Sequence, residues 1–334
     1  MSKKILWLLL IPALLGLIYL LGPDKDFAQV TNAPLEPTLD ISEIDQFLYA
    51  RESNTASLKP NNEARVIWYD SLQQTDYSIV YLHGFSASQQ EGDPVHRNLA
   101  QAFGCNLYLT RLPHHGEIRS NVFLDLTPED LVNEAREAVA IGKAIGKKVI
   151  LMSCSTGGTL SLFLSAGDPD IHAEILFSPN ISLFHPMSRH LNNPWGLTIA
   201  RQTGGGLYNI INYPDELAQY WTGRYRWEGV VALQELIEQT MTEQTFSAVT
   251  HPVYCAYYYR DENAQDQVVS VNEIVAMGGK LGTDPTQKRF KAFENGSNHV
   301  LLYPLLNENW EEVQADVAFF MEERLDMPRI NVLP

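Results

Sequence analysis

The chain is poor in cysteine. Cys105, Cys154 and Cys255 are the three present among 334 residues. They are too scattered for a disulfide framework and lack the paired spacing of a zinc site. Positive charge is also short: Lys and Arg total 24 against 40 for Asp and Glu, a formal net charge of −16. An acidic chain repels phosphate backbones, so nucleic acid is not an expected partner. Charged residues make up 19% and hydrophobic residues 45%, which supplies apolar mass for a sizeable core and excludes a largely disordered chain. There is no repeat of 20–50 residues, no low-complexity tract and no heptad run, which excludes solenoids and coiled coils. The triplet Gly204-Gly205-Gly206 is not followed by G-K-S/T, so it is no phosphate loop. No metal and no cofactor is expected.

One long hydrophobic run is present. After Lys3 and Lys4 comes ILWLLLIPALLGLIYLLG, residues 5–22, without a charge. At ~1.5 Å per residue it would rise about 27 Å, close to a ~30 Å hydrocarbon core. The expectation is an uncleaved membrane anchor over residues 1–22. A cleaved signal peptide and a buried core helix are the alternatives, and GPDKDFAQV beyond it offers no A-x-A cleavage site. Two lysines before the run, against Asp24, Lys25 and Asp26 after it, place the body outside the cytoplasm by the positive-inside rule. Residues 23–60, rich in Pro, Asn, Thr and Ser, read as a stalk with a short helix near ISEIDQFLYA.

Residues 61–334 alternate strands and helices. Strands are expected at 64–70, 78–84, 105–112, 147–154, 173–180, 252–260 and 288–295. Helices are expected at 91–104, 126–146, 156–167, 271–282 and 307–325. Thr127 is the expected N-cap of the second helix, with Pro128 in its first turn. KKVILMSC is nearly all apolar, as a strand covered on both faces should be. This alternation implies an α/β fold with a mostly parallel central sheet and helices on both faces. Some 70 residues between Asn180 and His251 break the rhythm, too many for a structureless loop. Residues 182–228 are expected to form an inserted, mainly helical cap. Its Trp and Tyr side chains should mostly build the cap's own core, with a minority lining a cleft below.

The chemistry concentrates where the apolar strand 147–154 runs through Ser153-Cys154-Ser155-Thr156-Gly157 directly into a helix. A sharp strand-to-helix turn lifts a serine above the sheet, and small residues two before and two after relieve the crowding. Ser155 then stands at a helix N-terminus, where free N–H groups favour negative charge. Ser153 is the competing choice, but it would shorten the strand and put Ser155 where a glycine belongs. Further strand ends carry YLHGFSAS (81–88), YCAYYYRDENAQDQVVS (254–270) and ENGSNHVLL (294–302).

Taken together, these motifs resemble the α/β-hydrolase fold family over roughly residues 64–325. Its usual elbow is G-x-S-x-G, and this chain has S-C-S-T-G. The resemblance implies Ser155 as nucleophile and His299, after the last strand, as base. Asp266 of D-Q-V-V is the implied acid, with Asp261 as runner-up. It implies backbone N–H groups of Phe85 and Thr156 as the oxyanion hole. The order Ser…Asp…His is that of the family. A serine hydroxyl is a weak nucleophile until an imidazole takes its proton and a carboxylate holds that imidazole in place. His83 and the histidines of LPHHGE (112–117) are expected to shape loops, and Cys154 to be buried and inert. Asn180-Ile-Ser and Asn295-Gly-Ser match the glycosylation sequon. The implied activity is that of a membrane-anchored serine hydrolase cleaving small-molecule carboxylic esters with an apolar portion, similar to carboxylesterases and monoglyceride-lipase-like enzymes. A peptidase or thioesterase of the same fold, or a catalytically inactive binding module, are the alternatives.

Overall fold

The computed structural model describes residues 3–23 and 26–333, with side chains from residue 10 onward. Asp24 and Lys25, two of the charges used to orient the chain, lie outside the described residues, as do the side chains of Lys3 and Lys4.

Helix α1 (Lys3–Leu20) occupies the apolar run. Among the described residues, however, no helix is long and apolar enough to cross a membrane, so the expected spanning helix is not found. Leu10 to Leu21 carry the described part of the apolar run. The remainder of the expected span, residues 5–9, has no described side chains.

The segment read as a stalk lies against the body. Helix α2 (Ile44–Ser53) buries Ile44 and Leu48 in the core. Val30 and Asn32 hydrogen-bond to Gln239 and to the Phe163 carbonyl.

Strands β1 (Arg65–Ile67), β2 (Thr75–Leu82), β3 (Asn106–Leu109), β4 (Gly146–Cys154) and β5 (Ile171–Phe177) build the first part of the main sheet, with helices α3 (Val95–Phe103), α4 (Pro128–Ile145) and α5 (Thr156–Ser165) between them. The insertion follows: α6 (Gly196–Thr203), β6 (Tyr208–Ile210), α7 (Asp215–Ala218) and β7 (Arg224–Arg226). The chain then runs through α8 (Trp227–Thr240), α9 (Glu243–Ala248), β8 (Val253–Asp261), β9 (Ala264–Gln265), α10 (Val271–Lys280), β10 (Lys288–Phe293) and α11 (Trp310–Arg324). The sheet order is β1-β3-β2-β4-β5-β8-β10, with β9 paired to β8. β1 is antiparallel to its neighbour β3, and the pairings from β3 through β10 are parallel.

Helices cover both faces, as the near-continuous apolar strands require. One face packs Val95, Leu99 and Phe103 of α3 with Val313, Val317 and Phe320 of α11. The other packs α4 through Leu131, Ala135 and Val139, and α5 through Leu160 and Leu164. Each such fully buried side chain contributes about 1.5–3 kcal/mol. Helix α4 starts as expected: Thr127 Oγ1 accepts the Asp130 N–H, and the Asp130 carboxylate accepts the Thr127 N–H. This reciprocal cap is worth about 1 kcal/mol.

The insertion is less helical than expected. Beside two short helices it carries a two-stranded antiparallel ribbon, β6 with β7. Its aromatic residues pack downward as well as on one another. Trp221 lies 5.6 Å from the Tyr303 ring, and Tyr225 lies 5.4 Å from Phe85.

Candidate active site

The parallel strands end along one rim, and the loops leaving β2, β4, β9 and β10 converge there. The tightest is the turn from β4 into α5. Ser155 stands between strand and helix with φ 53° and ψ −117°, a left-handed conformation that side chains rarely adopt. The surroundings enforce it: the Ser155 N–H donates to the Phe177 carbonyl at 3.0 Å, and the Ser155 carbonyl accepts from Asn180 at 2.9 Å. Strain of this kind, about 1–3 kcal/mol, persists where surrounding contacts over-determine the backbone. Gly157 is required by close approach, because a Cβ there would stand 1.9 Å from the Leu82 carbonyl oxygen. Ser153, the competing serine, is fully buried within β4, whereas Ser155 lines a cavity of about 420 Å³.

His299 lines the same cavity, on the loop after β10. Its Nδ1–H donates to Asp266 Oδ2 at 2.6 Å, which leaves Nε2 without the proton and able to accept one. Asp266 follows β9 and is 1% exposed. Its other oxygen accepts the N–H groups of Val268 at 2.8 Å and Val269 at 3.1 Å, so the two valines of D-Q-V-V act through their backbone as a cradle. Asp261 is not brought to the site. It lies at the exposed end of β8 beside Arg260 and accepts the Asn263 N–H.

The pair polarises both partners. Burial opposes charge on Asp266, but the His299 charge and the three hydrogen bonds outweigh it and hold the carboxyl below its ordinary value. Burial likewise opposes the imidazolium, yet the Asp266 carboxylate wins and the His299 pKa rises above its ordinary value.

The loop after β2 is held at nearly every polar atom. His83 Nε2 accepts the Leu112 N–H at 3.0 Å, so its Nδ1 carries the proton and donates to the Gly84 carbonyl at 2.9 Å. His115 Nε2 accepts the Ser86 N–H at 3.0 Å. The Ser86 carbonyl accepts from Thr222 of the insertion at 2.7 Å. Burial keeps both imidazoles neutral, His83 with a pKa near 4 and His115 well below its ordinary value. Both are structural, as their sequence context suggested. The N–H groups of Phe85 and Thr156 have no hydrogen-bond partner among the described residues. Two unpaired donors beside Ser155 are what a developing oxyanion requires.

Sequence reasoning missed three features. It did not single out His115 from the adjacent His114 as the support of the loop after β2. It passed over Glu91, a buried acid lining the cavity. It offered Asn180 as a glycosylation sequon, whereas Asn180 is 1% exposed and lines the cavity. No periodicity marks any of these, because their roles arise from segments far apart in the chain. Among the described residues no cluster of His, Cys, Asp and Glu could hold a metal ion. Cys154 is buried, and burial pushes its thiol well above the ordinary range.

The geometry can be set beside known proteins. No curated protein matches the chain. Among solved structures, one from the study of the metagenome-derived lipolytic enzymes LipS and LipT aligns over 80% of this chain and 100% of its own, with a TM-score of 0.64 at 16% identity. A monoacylglycerol lipase from Paleococcus ferrophilus aligns over 77% and 97%, with a TM-score of 0.55 at 13% identity. Est1E from Butyrivibrio proteoclasticus with bound ferulic acid aligns over 79% and 95%, with a TM-score of 0.55 at 15% identity. At such identities the likeness is one of fold. A model of the alpha/beta hydrolase family matches residues 79–315. With more than half of its length matched and this sheet beneath its rim of loops, the chain belongs to the alpha/beta hydrolase family.

Proposed function

We propose that the protein is a serine hydrolase of carboxylic esters that works through an acyl-enzyme. The observation that carries this reading is the buried Asp266–His299 pair, bonded at 2.6 Å and opening on the same cavity as Ser155 at its strained turn.

In the proposed cycle His299 Nε2 takes the Ser155 hydroxyl proton as the oxygen attacks the ester carbonyl. Asp266 stabilises the imidazolium that forms and fixes its orientation. The carbonyl oxygen, now negative, is received by the N–H groups of Phe85 and Thr156. Each such donor is worth about 3–4 kcal/mol of transition-state stabilisation. The alcohol leaves with the proton from Nε2. Water, activated by the same nitrogen, then cleaves the acyl-enzyme and restores the serine.

The cavity supports an ester with an apolar part. Phe85, Leu183, Trp221, Leu233 and Val268 supply apolar wall, while Asn180 and Asn209 add a few polar atoms. Fold neighbours that include lipolytic enzymes and a monoacylglycerol lipase are compatible with this substrate class. Among the described residues the cavity lining holds no lysine or arginine to meet a peptide carboxylate, and its one acid, Glu91, is bonded to the loop after β2.

The test is Ser155→Ala, assayed on a chain-length series of p-nitrophenyl esters and with a fluorophosphonate probe. Hydrolysis is expected to fall at least about 1,000-fold, with probe labelling lost and thermal unfolding little changed. Equal labelling of wild type and variant would remove Ser155 from its role.

A further inference from the structure

Among the described residues, the cycle above leaves one buried carboxyl of the cavity unused. Glu91 lies in the short turn Gln89–Gly92 and is 2% exposed. It lines the cavity with Ser155 and His299. Its Oε1 accepts the Gly84 N–H at 2.6 Å and the Tyr81 hydroxyl at 3.4 Å. Its Oε2 and the Ser155 Cβ each lie 3.1 Å from the point where a Cβ on Gly84 would stand, so they are separated by no more than twice that distance. No ion pair to Glu91 forms among the described residues.

We propose that Glu91 is a positioning residue of the oxyanion loop: it anchors the Gly84 N–H, aims the following Phe85 N–H at the reacting carbonyl, and supports catalysis while its own carboxyl is uncharged. This rests on the serine-hydrolase reading of the site.

The argument is one of charge and geometry. The Gly84 carbonyl, Ser86 N–H and Ser86 carbonyl are each held by other partners, so Glu91 supplies the remaining fixed point of the loop. A carboxyl one peptide away from a developing oxyanion helps as a neutral acceptor and opposes the reaction as an anion.

The groups facing it come from four elements. They are the Tyr81 hydroxyl of β2, the Cys154 thiol at the end of β4, His299 after β10 and Tyr213 of the insertion. Of these, His299 alone can become a cation. Burial pushes the Glu91 carboxyl up to about 8, although the Gly84 N–H and the His299 charge pull the other way. The acid is therefore neutral at pH 7 and ionises on mild alkalinisation. Its charge and that of His299 are linked, each favouring the charged form of the other.

The experiment compares wild type, Glu91→Gln and Glu91→Ala over pH 6–10. It records kcat and KM for a p-nitrophenyl ester and the rate of fluorophosphonate labelling. Wild-type kcat is expected to fall on the alkaline side with a midpoint near 8. Glu91→Gln keeps an oxygen for the Gly84 N–H and cannot ionise, so it should retain most activity at pH 7 and hold a flat plateau to higher pH. Glu91→Ala removes the acceptor and should lose about 10- to 100-fold in kcat with little change in KM. Superimposable alkaline profiles for wild type and Glu91→Gln would overturn the proposal while labelling of Ser155 still upheld the hydrolase reading. A wild type neither labelled nor active on esters would overturn both. The glutamine variant keeps the test decisive should the alanine variant fail to fold.

Discussion

Residues 83–91 and residues 208–226 face each other across one cavity, and they hold their shapes by different means. The lower loop is fixed atom by atom, through His83, His115, Glu91 and the Thr222 N–H, around two N–H groups left unpaired. The upper segment is tied to the body at its edges, where Lys59 donates to the Ala218 and Trp221 carbonyls and the Arg226 N–H to the Val122 carbonyl, but over the cavity it rests on rings. Trp221 rests on Tyr213 and Tyr303, and Tyr225 rests on Phe85 and Phe123, while Ile210 stays exposed. Directional bonds define positions to a few tenths of an ångström, which charge stabilisation needs. Ring packing is non-directional and tolerates rearrangement, which suits the recognition of an apolar group. The difference teaches that chemistry and substrate selection are assigned to different kinds of contact, and that they should respond differently to mutation.

The largest effect is expected at the rim itself. Gly157→Ala drives a Cβ into the Leu82 carbonyl, and backbone on both sides cannot give way. The expected outcome is loss of soluble folded protein, read by expression yield and circular dichroism. A folded, active variant would mean that the turn is looser than its geometry states.

Asp266→Asn comes next. Unlike Gly157→Ala, it should leave the fold intact while lowering kcat about 1,000- to 10,000-fold, because the amide stabilises neither the imidazolium nor the required tautomer. The pH profile carries the sign. His299 must be neutral to accept a proton, and its pKa is raised, chiefly by Asp266 acting against burial. Wild-type kcat/KM should therefore rise with pH to a midpoint above the ordinary 6.5, and the variant's residual activity should rise at lower pH. An unshifted acid limb would separate Asp266 from the titrating group.

The smallest effect is expected above the cavity. Trp221→Ala opens a void in a cluster formed with Ala87, Leu217 and Val300, at a cost of about 3–5 kcal/mol to the local packing. Because the insertion stands outside the main sheet, we expect a lower unfolding midpoint and a raised KM for long-chain esters, with kcat on a short ester within about threefold. If kcat on the short ester fell as far as in Asp266→Asn, the division between rim and insertion would be wrong.

Much of the fold was legible from residue pattern. The apolar run KKVILMSC, the Thr127-Pro128 helix start and the spacing of strands with helices are local properties, and each corresponds to an element of the structure. For the site, the small residues around Ser155 were readable for the same reason, since a turn is built from neighbours in sequence; D-Q-V-V was singled out through the family resemblance, and the cradle its backbone forms around Asp266 came from the structure. The insertion was read too helical, since the ribbon of β6 and β7 consists of two three-residue strands, too short to show an alternating pattern. The apolar run at the N-terminus was read as spanning from hydropathy alone, which does not register where the end of the helix packs. Trp195 donates to the Ile18 carbonyl across 177 positions of sequence, a contact that no local pattern announces.

What the amino-acid order determined by itself is therefore the longer strands and helices of the main sheet and the sharp turn at Ser155, because propensity, capping and steric crowding act over a few residues. Only the tertiary structure decided that Asp266 rather than Asp261 meets His299, that Ser86 is held by His115 from 29 residues away, and that Glu91 is buried at the cavity. Those choices depend on which strand ends share a rim. A pairing of strands distant in the chain is settled by the packing of the whole sheet between its helices, and no single segment encodes it.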